Sequence, residues 1–335
     1  MDVSVVIPVY NAASFISEAV KSALAQSEVK QIILVEDGSS DNSLEVCRAL
    51  SAESSIVELY RHPHGTNCGE GASRNLGIEK ARHTYITFLD ADDFMLPGRF
   101  EAERAVFERY PDADGVYSSV VNFFHDSTGE DAWFKRGFKG ASLTGLSEPA
   151  DPESLFNILT GYQPDQTLKG HLIPDCLTIK RESLKSSRIS FPEELRLHTD
   201  TLFIYQCAYY LKLYAGALDR GIVMRRIHSN NAFIHESDIQ STRSLFYLAT
   251  IRWAVKKKLP RRYIFHFRRR YCSLRPENCQ MFVRVLLHLR SYCADPQYRR
   301  ATKASARNRT ILKKGVFSFP IFDEAFALLN LRFKK

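Results

Sequence analysis

The chain has 335 residues, of which 44% are hydrophobic and 25% are charged, a composition typical of a globular protein with one large domain or two modest ones. No apolar run approaches the about 18 residues that span a bilayer, so we expect no transmembrane helix. The seven cysteines form no CxxC pair, which argues against a zinc knuckle or a disulfide framework. The first residues, MDVSVVIPVY, lead directly into strand-like sequence without a signal peptide, and we expect a cytoplasmic protein with free thiols.

The net charge of +8 hides a strong asymmetry along the chain. Residues 1–239 contain 23 Lys/Arg and 34 Asp/Glu, which gives −11, whereas residues 240–335 contain 23 Lys/Arg and 4 Asp/Glu, which gives +19. A block this basic indicates an anionic partner, and nucleic acid, anionic lipid and an acidic polymer all fit.

Strands and helices alternate in the first third of the chain. The predicted strands cover 3–10, 31–37, 56–62 and 85–91, and the predicted helices cover 14–27, 44–53 and 71–82. The first strand is continuously apolar, which is typical of a strand covered on both faces, and Ser14 is the expected N-cap of the first helix. This rhythm predicts an α/β fold with a doubly wound, mostly parallel sheet flanked by helices.

The pattern beyond residue 115 is less regular. We predict a strand over 114–124, a loop over 125–150, and a helix after the N-cap Asp151; further elements are a strand entering a helix over 175–184, a helix over 199–212 and a strand ending near residue 228. From about residue 240 the sequence predicts helices only, at 241–258, 261–271, 277–292 and 321–333. The predicted domains are therefore 1–238, with halves at 1–115 and 116–238, and a basic helical region over 239–335.

Three polar clusters, IPVYN, VEDGSS and LDADD, follow predicted strands. Ligands of doubly wound sheets bind beyond the carboxyl ends of the strands, so the three clusters are expected to meet at one sheet edge. The last cluster crowds Asp90, Asp92 and Asp93 into four positions, and hard oxygen ligands of this kind suit Mg²⁺ or Mn²⁺. The alternative is a solvated turn, since DADDFMLPG also has the composition of turns.

Four motifs of this sequence, taken together, resemble those of a known protein family. SVVIPVYNAASFISEAVKSALAQS, ILVEDGSSDNS, GASRNLGIEKA and YITFLDADDFMLP resemble the nucleotide-sugar-binding half of family 2 glycosyltransferases with the GT-A fold. The resemblance is close over residues 1–115 and loose to about 235. It implies an inverting transferase of the hexosyltransferase type that uses a nucleoside-diphosphate sugar and a divalent metal, Mn²⁺ or Mg²⁺.

The resemblance assigns the nucleobase site to the ends of the first two strands. Pro8, Val9, Tyr10 and Asn11 would border the base, and Asp37 would accept a hydrogen bond from it. The alternatives are a packed aromatic for Tyr10 and a turn-stabilising carboxylate for Asp37.

The resemblance assigns the diphosphate and the metal to the next two motifs. Arg74 would face the diphosphate, with a salt bridge on the helix surface as the alternative. Asp90 would lie near the ribose, Asp92 would be the main metal ligand, and Asp93 would support the site through neighbouring contacts.

The family places its catalytic base, usually in a Glu-Asp pair, at the start of a helix about a hundred residues after the DxD motif. Asp200 is the match here, although Thr199 stands where the Glu is usual. His198 is a neighbour or a rival base, and a simple N-cap role for Asp200 is the alternative.

His228 resembles a position that lies late in the family's sequences and near the diphosphate. The resemblance implies that His228 contacts phosphate or metal. A structural histidine is the alternative. Arg225 and Arg226 lie alongside and could also meet phosphates.

Residues 252–270 interleave cations with aromatic side chains, a pattern that suits an anionic membrane surface. Trp253, Tyr263, Phe265 and Phe267 would lie at the lipid interface. A solvated basic face and recognition of an acidic acceptor glycan are the alternatives.

The functional expectation is transfer of a sugar, with UDP favoured over GDP and dTDP, to an acceptor hydroxyl of a glycan or lipid-linked acceptor in surface polysaccharide or lipooligosaccharide synthesis. We expect a cytoplasmic protein, peripheral on the inner face of the cytoplasmic membrane, with no nucleic acid partner; homo-oligomerisation stays open. The alternative function is a non-catalytic protein whose basic tail binds polyanions such as nucleic acid. A nucleotidyltransferase is disfavoured, because IPVYNAASF lacks a Gly-rich cationic loop.

Overall fold

A computed structural model describes most of the chain before residue 275, namely residues 1–135, 137, 143–162, 170–229, 231 and 239–274. The helices predicted over 277–292 and 321–333 lie outside the described residues.

The strands in chain order are β1 (Val3–Val9), β2 (Val29–Glu36), β3 (Val57–Arg61), β4 (Tyr85–Phe88), β5 (Phe94–Met95), β6 (Gly115–Tyr117), β7 (Ser119–Phe124), β8 (Leu143–Thr144), β9 (Leu177–Lys180), β10 (Leu213–Ala215) and β11 (Gly221–Ile227). The helices are α1 (Ile16–Leu24), α2 (Ser43–Glu53), α3 (Glu70–Lys80), α4 (Glu101–Arg109), α5 (Ser127–Lys135), α6 (Pro152–Thr160), α7 (Arg181–Ser187), α8 (Thr199–Tyr210), α9 (Ile239–Lys256) and α10 (Arg261–Leu274).

The central sheet has seven strands in the order β10-β6-β9-β4-β1-β2-β3. Only β9 runs antiparallel to its neighbours in this sheet, β4 and β6. Every residue of β1 except Pro8 is buried, and all of them are apolar except Ser4, whose hydroxyl donates to Gln31 Oε1 at 2.8 Å. The predicted α/β fold with a mostly parallel sheet flanked by helices is confirmed.

A second sheet of four strands has the order β5-β11-β7-β8. The single strand predicted over 114–124 is in fact two strands, because β6 pairs with β9 in the central sheet while β7 pairs with β11 in the second. The second sheet matters for the site, because β5 follows the acidic cluster directly and pairs with β11.

Two local predictions are wrong. The N-cap position of α1 is Phe15 and not Ser14, because the N–H groups of Phe15 and Ile16 already donate to the carbonyl of Ala12. The segment 125–150, predicted as a loop, contains the helix α5, which its mostly polar sequence did not indicate. Asp126 accepts the N–H of Gly129 at 2.7 Å as a helix cap, and the Trp133 side chain, 3% exposed, anchors the helix in the core.

Helices α9 and α10 pack against α6 and α8 through aromatic side chains. The ring centroid of Phe156 lies 6.3 Å from that of Trp253 and 5.0 Å from that of Tyr263. The expectation that four aromatic rings reach a lipid surface is therefore wrong for Trp253, Tyr263 and Phe267, which are 8%, 6% and 1% exposed; Phe265, at 69%, remains outside. The predicted domain boundary near residue 238 lies outside the described residues and stays a prediction.

Among the helices described here, none has both the length and the apolar character required to cross a membrane.

Candidate active site

A cleft of about 910 Å³ opens at the carboxyl ends of β1, β2 and β4, beside the first turns of α3 and α8. The three polar clusters that follow these strands all contribute to its wall, as expected for a doubly wound sheet. The segment just after β11 also lines the cleft, through His228 and Asn231.

The loop after β1 presents the residues predicted to border a nucleobase. Pro8, Val9, Tyr10 and Asn11 all line the cleft, and the Tyr10 side chain is 54% exposed. Asn11 adopts a φ of 49°, and its Oδ1 accepts the N–H of Ser40 at 2.8 Å. This bond ties the loop after β1 to the loop after β2, so Tyr10 stands as an open aromatic face on a fixed backbone.

Asp37, directly after β2, lines the cleft but is only 2% exposed. Its two carboxylate oxygens accept the backbone N–H groups of Cys68 at 2.7 Å and Gly69 at 2.9 Å. Asp37 therefore holds the segment that leads into α3, and any ligand contact would use its remaining lone pairs.

Asp92 and His228, the predicted metal ligands, lie side by side. The Oδ2 atom of Asp92 is 2.9 Å from Nε2 of His228 and accepts the side-chain N–H of Asn231 at 3.1 Å. The His228 ring packs against Phe15 with 4.9 Å between ring centroids, which fixes its orientation. A carboxylate and an imidazole from distant segments thus converge on one point of the cleft.

Behind Asp92, three carboxylates from different segments are close together. One carboxylate oxygen from each of Asp90, Asp93 and Asp175 lies within 4.8 Å of the others. Burial raises the pKa of Asp175 to about 8, helped by the charge of Asp90, and burial likewise raises the pKa of Asp93 well above its usual value. The Asp175 Oδ2 atom accepts the N–H of Asp90 at 3.0 Å.

Asp175, in the segment IPDCLT before β9, was not among the predicted site residues. A carboxylate immediately before an apolar strand was the available signal, but its neighbour Asp90 is 85 positions away and pairing across that distance is not visible in one sequence. Asn231 and Glu70, which also line the cleft, were likewise missed.

Arg74 lies behind the cleft wall and is fully buried. Its Nη1 donates to Asp200 Oδ1 at 2.7 Å, its Nη2 donates to Asp90 Oδ1 at 2.6 Å, and Nη2 is also 2.5 Å from Glu70 Oε1. Both terminal nitrogens therefore meet carboxylates, which differs from the predicted contact with the diphosphate and also from a salt bridge on the helix surface.

Asp200 is the second residue of α8 and lines the cleft with a side chain that is 33% exposed. Besides Arg74, it accepts the hydroxyl hydrogen of Thr199 at 3.2 Å. His198 is the N-cap residue, with a φ of 62°, and also lines the cleft. The Asp200 carboxylate is thus held at the first turn of a helix and is accessible from the cleft.

The two arginines before His228 differ in position. The Arg226 guanidinium is 2.6 Å from Glu18 and lies over the ring of Phe15 at 4.7 Å, and its backbone N–H donates to Asp93 at 2.8 Å. The backbone of Arg226 therefore helps to fix the position of Asp93 in the acidic cluster. Arg225 also lines the cleft.

The donor set fits a divalent cation. Asp90, Asp93 and Asp175 would supply carboxylate oxygens from one cluster, and the Asp92–His228 pair would supply a further carboxylate oxygen and an imidazole nitrogen. The Asp175 Oδ1 atom is buried without a hydrogen-bond partner among the described residues, and such an oxygen is stabilised by a proton, in keeping with the raised pKa of Asp175, or by a cation. Oxygen-rich sites of this composition suit Mg²⁺ and Mn²⁺.

Comparisons with known proteins agree with the geometry. An uncharacterised glycosyltransferase of Haemophilus influenzae is 40% identical over 102 residues, which cover 30% of this chain and 40% of the relative. The succinoglycan biosynthesis protein ExoU of Rhizobium meliloti is 40% identical over 98 residues, which cover 29% of this chain and 28% of ExoU. The chain thus spans well under half the length of these relatives.

The crystal structure of S. aureus TarS 1-349 in complex with UDP-GlcNAc superposes with a TM-score of 0.54 and 20% identity, covering 74% of this chain and 66% of that one. This likeness shows the shared GT-A fold. The sequence model of glycosyl transferase family 2 matches residues 4–187, more than half of the chain. The chain therefore belongs to glycosyl transferase family 2.

Proposed function

We propose that this glycosyltransferase moves a hexose from a nucleoside-diphosphate sugar, with UDP as the favoured nucleotide, to an acceptor hydroxyl with inversion at the anomeric carbon. The observation that carries the proposal is the shared cleft: Asp92 and Asp200 line it together with Asp37 and Tyr10. A metal-binding carboxylate, a candidate base and a nucleobase surface thus face one space.

The donor nucleotide would occupy the end of the cleft formed by the loops after β1 and β2. Tyr10 offers an exposed ring beside Pro8, Val9 and Asn11, and Asp37 lies below. TarS, a protein of the same fold, was crystallised in complex with UDP-GlcNAc, which supports a UDP-sugar as the donor here.

The transfer step needs one proton acceptor. Asp200 takes the proton of the acceptor hydroxyl while that oxygen attacks the anomeric carbon, and the bond from this carbon to the diphosphate oxygen breaks on the opposite face. Arg74 holds the Asp200 carboxylate at 2.7 Å and so orients it toward the cleft. The products are the inverted glycoside and the nucleoside diphosphate.

Asp92 would hold a divalent cation, Mn²⁺ or Mg²⁺, together with Asp90 and His228. When bound, such a cation supplies positive charge where the diphosphate leaves. Asp93 and Asp175 lie close behind these ligands, where they would stabilise the cation through its nearest carboxylates.

The acceptor belongs to a glycan in this proposal. ExoU is named for succinoglycan biosynthesis, which supports a role in making a surface polysaccharide or a lipooligosaccharide.

The exposed face of α10 would rest on an anionic membrane. Arg261, Phe265 and Arg269 are four residues apart and share that face, and Phe265 is 69% exposed. Residues 239–274 contain no Asp or Glu. Co-flotation with anionic vesicles at low salt tests this attachment.

Release of UDP from UDP-sugars in the presence of Mn²⁺ tests the catalytic proposal. We expect slow hydrolysis without acceptor, and we expect D200N to lower turnover by about 10²–10⁴-fold because the base is lost. D112N is the matched control, since Asp112 is an exposed carboxylate that pairs with Lys212 and does not line the cleft. Full activity of D200N would contradict the assignment of the base.

A further inference from the structure

The first turn of α3 carries Glu70, a carboxylate to which the proposed reaction assigns no role. Glu70 lines the cleft, and its side chain is 43% exposed. Its Oε1 atom is 2.5 Å from Arg74 Nη2, so the carboxylate is anchored on the protein side and open on the other.

The backbone at Glu70 is fixed against the segment before α8. A Cβ built on the next residue, Gly71, would be 3.2 Å from the carbonyl oxygen of Pro192 and 3.4 Å from the methyl group of Thr199. Because Thr199 immediately precedes Asp200, this close packing sets the distance between Glu70 and the candidate base.

Glu70 lies between the two ends of the proposed reaction. The Arg74 guanidinium that binds Glu70 also binds Asp90 at 2.6 Å and Asp200 at 2.7 Å. Asp90 belongs to the donor end, where the diphosphate would sit, and Asp200 belongs to the acceptor end. The transferred sugar is bonded to the diphosphate and attacked by the hydroxyl held at Asp200, so it must lie between these two carboxylates, in the space that Glu70 borders.

The chemistry of Glu70 suits a sugar. Burial raises the pKa of the Glu70 carboxyl to about 8, although the charge of Arg74 opposes this. A carboxyl group accepts hydrogen bonds in either protonation state and also donates one when protonated, and sugar hydroxyl groups both donate and accept them. A polar group left without its partner penalises the wrong substrate.

We propose that Glu70 binds a hydroxyl group of the transferred sugar and thereby contributes to the choice of donor. This inference rests on the proposed function. Glu70 is a binding residue in this account and takes no part in proton transfer.

The test compares the affinities for UDP and for UDP-sugars by calorimetry with Mn²⁺, using UDP-GlcNAc, UDP-glucose and UDP-galactose as probes. For the UDP-sugar that the wild type binds most tightly, we expect E70A to weaken binding about tenfold while the affinity for UDP changes less than twofold, because UDP lacks the transferred sugar. E70Q keeps the shape of the side chain and one acceptor oxygen, so its affinity for the UDP-sugar should lie between those of the wild type and E70A. E79A is the matched control, since Glu79 lies on the same helix, is 70% exposed and does not line the cleft.

Three results would overturn the inference. E70A could leave the affinity for the UDP-sugar unchanged, or it could weaken UDP and the UDP-sugar equally, which is the signature of a residue that only supports Arg74. It could also change the KM for acceptor alone. A wild-type protein that binds neither UDP nor any of the three UDP-sugars would instead overturn the proposed function itself.

Discussion

Arg74 shows how one buried side chain organises both ends of the cleft. It has no access to solvent, and it binds Asp90 from the segment after β4, Asp200 from α8 and Glu70 from its own helix. Its guanidinium also lies 5.2 Å from the centroid of the Phe191 ring. Removing a buried cation is costly when several carboxylates depend on it, because their negative charges are then left together without compensation.

Replacement of Arg74 by Met should therefore destabilise the protein strongly. We expect R74M to lose about 3–5 kcal/mol of the free energy of unfolding, measured by urea denaturation, since it leaves the carboxylates without their cation. R48M is the control, because Arg48 is 62% exposed in a 3.9 Å pair with Glu45, and it should change stability by less than about 0.5 kcal/mol. A loss of less than about 1 kcal/mol for R74M would contradict this role.

At the scale of single residues, the sequence predicts which side chains reach the cleft better than it predicts what they touch. The fold determines where strands end and helices begin, and the predicted motifs lie at those points. The cleft is therefore lined by the predicted residues Tyr10, Asp37, Asp92, Asp200 and His228. The partners of Arg74 and Asp175 were not predictable, since Asp200 is 126 positions from Arg74 and Asp175 is 85 positions from Asp90. Such contacts depend on tertiary packing between distant segments, which produces no periodic pattern in the local sequence.

At the scale of elements, β2 ends in an ion pair between the buried Glu36 and the exposed Arg61, and Glu36 also fixes the next loop. Glu36 is fully buried, its Oε2 accepts from Arg61 Nε at 2.7 Å, and its Oε1 accepts the N–H of Ser39 at 2.5 Å. Burial opposes ionisation of Glu36, but the hydrogen bonds from Ser39 and Arg61 together hold its pKa below the usual 4.5.

A group with a lowered pKa contributes stability that is complete above its unfolded pKa and is lost as the pH falls through the folded pKa. We therefore expect E36Q to be less stable than the wild type at pH 7, with a difference that shrinks as the pH is lowered below about 4.5. Urea unfolding between pH 3 and pH 7 measures this. A difference that stays constant over the range, or grows toward acid, would contradict the ion pair as its cause.

The elements most accurately predicted are β1 to β4 with the helices between them. Their apolar runs and helical periodicity are strong because both sheet faces or one helix face are buried. Helix α5 was missed because it has one buried aromatic and a polar remainder, and the split between β6 and β7 was missed because the chain changes sheets at Ser118 without a break in β-propensity.

At the scale of the whole molecule, charge and exposure are the basis of the proposed attachment of α10 to lipid. The buried face of α10 is occupied, since Tyr263 donates to Asn157 at 2.9 Å and Phe267 is 1% exposed. The opposite face presents Phe265 with Arg261 and Arg269 on either side.

Charge reversal on this face should release the protein from anionic vesicles. The double variant R261E/R269E should bind phosphatidylglycerol vesicles at least tenfold more weakly, because each basic residue near such a surface contributes about 1 kcal/mol. K30E/R48E, which reverses two exposed cations elsewhere, is the control. Failure of the wild type to co-float at low salt would contradict the proposed attachment, and a salt-dependent shift of RNA or DNA in its place would favour a nucleic acid partner.

The central claim, that the cleft binds a nucleoside diphosphate beside a divalent cation, is tested most directly by calorimetric titration of the wild-type protein with UDP, with Mn²⁺ and with EDTA. We expect binding that Mn²⁺ strengthens and EDTA weakens, with the metal effect lost in D92N. Absence of binding to UDP, GDP and dTDP in the presence of Mn²⁺ would contradict it.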